Sequence, residues 1–117
     1  MGLGMSKMYI CVREDFPDYM TPTLVGHAVL RHHLEMIDTQ DPICSDSNYL
    51  SWLTNSFKKC VVKVGLKEFE KIRKLPNVVE SWENNTLNGE VSCLTVVTSD
   101  VVPNVLKFAK LWKPAYE

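Results

Sequence analysis

One histidine stands where its chemistry could be used. His27 falls in the second turn of an expected helix that opens at Thr21-Pro22, close to the C-terminal end of the first expected strand. Open α/β sheets usually place their ligands at that end. An imidazole there can take a proton from a hydrolytic water; the plainer alternative is a helix histidine packed among Leu24, Ala28 and Leu34 with its ring nitrogens satisfied. Carboxylates that could orient it cluster in two turns, Glu14, Asp15 and Asp18 after the first strand and Glu80 and Glu83 near the third. A solvated turn is the bland alternative for both groups. His32 and His33 are adjacent, and His27 to His32 is a spacing of five, whereas metal ligands on one helix face need three or four. No metal site is expected. The chain has no G-x-S-x-G elbow, no cysteine in a catalytic context and no phosphate-binding glycine loop, so neither a serine or cysteine nucleophile nor a cofactor is expected.

Lysines are the other group that could do something. Lys58, Lys59, Lys63, Lys67, Lys71, Arg73 and Lys74 fall in one strand-helix unit, and Lys107, Lys110 and Lys113 lie further on. Each could meet a phosphate backbone, or simply solvate a helix face and blunt a strand edge. Because 13 basic residues face 14 acidic ones, any affinity for nucleic acid should be modest and salt-sensitive. The four cysteines form no C-x-x-C pair, and a chain of 117 residues does not need staples. Free thiols in a reducing, cytoplasmic setting are expected. No apolar run reaches the roughly 20 residues that cross a bilayer, so no membrane partner is expected.

The elements that must position these residues read as β-α-α-β-α-β-β-α. Lys7 to Arg13 is a β-branched and aromatic strand. Thr21 caps a helix with Pro22 at its first position, apolar at Val25, Ala28, Val29, His32 and Met36 and widened by Leu24, Leu30 and Leu34, so a mostly buried helix is expected. After a polar loop, a second helix runs through Tyr49, Trp52 and Phe57. Lys58 to Val64 is a strand whose apolar middle suits a sheet covered on both faces. A helix over Lys67 to Lys74 stops at Pro76. Two strands follow, Val78 to Trp82 and Val91 to Val97, and a helix from Pro103 to Trp112 closes the chain. Alternating elements imply a three-layer α/β/α sandwich on a four-stranded mixed sheet, one domain over residues 1–117.

Three stretches carry a resemblance to the type II peptidyl-tRNA hydrolases, the archaeal and eukaryotic type. Tyr9-Ile10-Cys11-Val12-Arg13-Glu14-Asp15 is similar to the family's opening strand ending in Arg-x-Asp. Leu24-Val25-Gly26-His27-Ala28 is similar to its A-A-Q-x-x-H-A helix, and Lys58-Lys59-Cys60-Val61-Val62-Lys63-Val64 to its K-K-V-V-L-K-V strand. The element order agrees over nearly the whole chain. The resemblance implies hydrolysis of the ester between a peptide and the tRNA 3′ end, with His27 as the base that activates water, Glu80 or Asp15 orienting it, and Asn84 and Asn85 as amide donors. Peptidyl-tRNA would be held through Lys58 and Lys59, and a homodimer is implied. The chain departs from the family in the segment Phe16 to Pro22, which lacks the family's G-K-G-K lysines, and at Leu24, which replaces a glutamine. Glu80-Ser81-Trp82-Glu83-Asn84-Asn85-Thr86 stands in place of D-A-G-R-T-Q-I. The competing expectation is a non-catalytic protein- or RNA-binding module on the same fold.

Overall fold

The structure, a computed structural model, describes residues 6–37, 47–83, 89–99 and 101–113. Among the described residues the fold is mixed α/β, with one five-stranded mixed sheet and four helices. The strands are β1 (Lys7–Arg13), β2 (Lys58–Val64), β3 (Val79–Trp82), β4 (Val91–Thr98) and β5 (Lys110–Leu111), in the spatial order β3-β4-β1-β2-β5. The helices are α1 (Thr21–Met36), α2 (Ser47–Ser51), α3 (Leu66–Arg73) and α4 (Asn104–Lys107). β1 is the central strand, parallel to β2 and antiparallel to β4. Its side chains alternate between two cores. Met8, Ile10 and Val12 pack with Leu24 and Ala28 of α1 and with Tyr49 and Trp52; Tyr9 and Cys11 pack with Phe69 and Ile72 of α3 and Leu106 of α4. A strand buried on both faces has to be apolar at every position, which is why β1 reads as a continuous run rather than an alternating one.

Four expectations are corrected. The sheet has five strands rather than four, because the closing helix stops at Lys107 instead of Trp112. The outer edge of β2 offers backbone groups that outcompete a last helical turn. β5 pairs there with Val62 and Lys63, and the N–H of Trp112 donates to the carbonyl of Val61 at 2.8 Å. The second helix also ends early: α2 gives way to one π turn, Trp52–Ser56, and Phe57 closes it in the left-handed region at φ 56°. Thr21 lies inside the first turn of α1 rather than capping it, because the chain enters directly from a 3-10 turn at Asp18–Met20. Leu30 and Leu34 do not join the buried stripe of α1; they are 60% and 53% exposed. Buried His32 occupies that stripe instead, with Nδ1 2.7 Å from Thr95 Oγ1 and its ring stacked on Tyr49.

Candidate active site

α1 runs back over the sheet, crossing β3 and β4, and its exposed side carries His27 past the end of β3. There Nε2 of His27 lies 3.3 Å from Oε2 of Glu83. A carboxylate can only accept, so this bond requires the imidazole hydrogen on Nε2 and leaves Nδ1 as the basic nitrogen. The Glu83 side chain is 10% exposed and that of His27 48%, so the carboxylate is sheltered while the ring stays open to water. The pair borders a cleft of about 310 Å³ walled by Leu30, Arg31, Leu34, Ser81 and Trp82. Arg31 follows His27 by one helical turn and therefore lies on the same face. Its guanidinium sits 4.5 Å from the centre of the half-exposed Trp82 ring. The exposed leucines of α1 are the apolar wall of this cleft. The arrangement can deprotonate a water, offer a cation to a developing negative charge and present an aromatic plane.

Sequence reasoning placed His27 in this site and named Glu83 within the carboxylate cluster, but the resemblance pointed to Glu80 or Asp15 as the orienting group. Strand alternation settles the difference. Glu80 projects from the middle of β3, where Arg73 of α3 holds it at 3.0 Å and the guanidinium is pushed above its ordinary value by that bond. Asp15 takes both Nε and Nη2 of Arg13, at 3.0 and 2.7 Å, and the guanidinium holds its carboxyl below the usual carboxylate range. Neither reaches the imidazole. Asn84 and Asn85 lie outside the described residues.

Lys58 and Lys59 are not brought to the cleft. Lys58 pairs in register with Lys7 at the start of β1, whereas Ser81 is level with Val12 near its far end and Trp82 and Glu83 lie beyond it. Strand rise and the three strand spacings between β2 and β3 together put roughly 25–30 Å between the two places. The segment that lacks the family's lysines has its own structural use. Asp18 accepts hydrogen bonds from Lys63 and from the indole Nε1 of Trp112, and the Lys63 ammonium holds its carboxyl below the usual range. The residues that sequence reasoning passed over are Arg31 and Trp82. Their only signal was the one-turn spacing of Arg31 from His27 and the position of Trp82 directly before Glu83.

A larger cavity, about 540 Å³, lies on the opposite face between α3 and α4 and is walled by Glu14, Gly65, Lys71, Phe108 and Lys110. No histidine lines it, and its carboxylates Glu14 and Glu68 occupy the space that a side chain on Gly65 would enter. Volume alone favours it; chemistry favours the smaller cleft. Among the described residues, no group of three or more His, Cys, Asp or Glu side chains is placed to hold a metal ion, and no helix is long and apolar enough to cross a membrane. The chain matches no protein-family model and no curated protein.

Proposed function

We propose that the chain is a hydrolase of peptidyl-tRNA. The observation that carries this reading is the His27–Glu83 hydrogen bond at the edge of a cleft that also holds Arg31 and Trp82. Nδ1 of His27 takes a proton from water as the water oxygen bonds to the ester carbonyl carbon. Glu83 keeps the imidazole in the required tautomer and stabilises the imidazolium that forms. The tetrahedral oxyanion develops beside the Arg31 guanidinium, which supplies the cation that the family's missing lysine would have supplied. Collapse breaks the bond from carbon to the ribose 3′ oxygen, and that oxygen recovers the proton from His27. The products are a peptide with a free carboxylate and a deacylated tRNA. Trp82 offers its ring to the terminal base, and Leu30 and Leu34 offer apolar contact to the peptide. The finer expectation of a three-layer sandwich fits this placement, with the dyad on the α1 face.

One observation favours the non-catalytic alternative. Asp18 stands in the segment where the family carries lysines, and it is tied to Lys63 and Trp112. Release of tRNA from peptidyl-tRNA by the purified protein, measured beside His27→Ala, separates the two. Loss of about a hundredfold or more in the variant supports the hydrolase. No release by the wild type, or equal release by both, overturns it.

A further inference from the structure

Arg31 carries a charge that the folded chain leaves unmatched. Its guanidinium rests against the Trp82 ring, and it forms no ion pair among the described residues, Glu35 one turn further on included. Ser81 lines the same cleft from β3. It is 2% exposed; its carbonyl accepts from Ser92, but its hydroxyl makes no hydrogen bond among the described residues. Buried hydroxyls are nearly always bonded, so one that is not marks a place where a partner is missing. Leu30 and Leu34, one helical turn apart, stay exposed on the same wall. A guanidinium, a hydroxyl donor and an apolar wall thus meet around a cleft of about 310 Å³, small for a ligand pocket.

A guanidinium presents its N–H groups as a planar fork, and the two oxygens of a carboxylate match it. We infer that the cleft holds the C-terminal carboxylate of a peptide that ends in an apolar residue. Arg31 pairs with the carboxylate, Ser81 donates to one of its oxygens, and the last side chain lies against Leu30 and Leu34. A folded protein surface does not enter a cleft of this size, whereas the last one or two residues of a chain do. A phosphate would also pair with Arg31 but would leave both leucines without apolar contact. Glu83 is the competing charge in the cleft, sheltered and bonded to His27. That the peptide is the product of the reaction rests on the hydrolase reading; the preference for a carboxylate does not. On that reading the group that steadies the oxyanion also retains the acid formed from it. The enzyme is then inhibited by its own product and favours peptides with an apolar last residue.

The test is fluorescence anisotropy with a labelled trialanyl-leucine peptide, as the free acid and as the C-terminal amide, beside the free acid of tetra-alanine. Wild type is expected to bind the leucine acid about tenfold more tightly than its amide. Arg31→Gln should lose that preference while binding the amide as wild type does, which guards against a folding defect; Arg31→Lys should keep part of it. Ser81→Ala is expected to weaken binding of the acid about fivefold. Leu30→Ala/Leu34→Ala should lower affinity for the leucine acid about tenfold and leave that for tetra-alanine unchanged. Glu83→Gln, which loses hydrolysis, should bind the acid at least as tightly as wild type, because a like charge is gone. Equal binding of acid and amide by wild type, no binding of either up to about 1 mM, or a preference that survives Arg31→Gln overturns the proposal. Cleavage of peptidyl-tRNA without a preference for the acid sinks this inference alone. A preference that needs Arg31, with no cleavage by wild type, sinks the hydrolase reading alone and leaves the cleft as a reader of peptide C-termini.

Discussion

His27 and Glu83, 56 residues apart in the chain, share a hydrogen bond of 3.3 Å in which the carboxylate is sheltered and the imidazole is not. The bond fixes which imidazole nitrogen carries the hydrogen, and so which one can act as a base. Glu80, three residues earlier, points to Arg73 instead. Replacing Glu83 by Gln is therefore expected to lower kcat for peptidyl-tRNA cleavage by about 100-fold, because an amide cannot stabilise the imidazolium. Glu80→Gln should stay within about twofold of wild type on the same scale. Single-turnover cleavage of both variants checks this, and a larger loss in Glu80→Gln would refute the assignment.

Trp82 acts in the same cleft by a different route. It touches no reacting atom, so Trp82→Ala is expected to raise KM about tenfold, the cost of one lost stacking contact, with kcat changed by no more than about twofold. Steady-state kinetics with peptidyl-tRNA distinguish this from a chemical role, in which kcat would fall instead.

The Arg13–Asp15 pair predicts an acid sensitivity. Asp15 is depressed in the folded state by its bonds to Arg13, so its contribution is present above the ordinary carboxylate value of about 4 and is lost as pH falls through the depressed folded value. The pair is partly exposed, at 14% and 44%, and solvent screening limits the effect to about 1 kcal/mol or less. Urea denaturation of wild type and Asp15→Asn should differ at neutral pH and converge below about pH 4. Curves that stay parallel throughout would exclude the linkage.

Thiol reactivity should follow burial. Desolvation pushes Cys11 far up and Cys93 up to about 12, while Cys60 is half-buried and raised less far. Reaction needs the thiolate. Among these three, Cys60 is expected to react first with a maleimide in the native state, and Cys11 and Cys93 only after unfolding. Peptide mapping by mass spectrometry after timed labelling reads the order directly.

Much of this architecture was legible because its elements are strongly patterned. β1 and β2 are apolar runs ended by turn residues, and α1 has Pro22 at its start and a clear apolar stripe. The site was half legible. His27 could be placed from its turn of α1, but its partner depended on how far β3 extends before the chain turns, and one strand position decides between facing Arg73 and facing His27. What failed was decided by long-range competition. The stretch from Phe108 to Trp112 is compatible with a helix, and only the open edge of β2 makes it a strand. Leu30 and Leu34 have the spacing of buried residues, and nothing local says that they stay exposed. Phe57 carries no sequence sign of the left-handed conformation in which it closes the π turn.

The order of strands has a consequence for synthesis. β1 is synthesised before both of its neighbours: β2 begins at Lys58, and β4 aligns Lys7 with Thr98. Until β4 has been made, one edge of β1 has no hydrogen-bonding partner. β1 therefore cannot complete its pairing as soon as it is made. It waits for β4 with an open edge on an apolar strand, the kind of edge that invites wrong pairing.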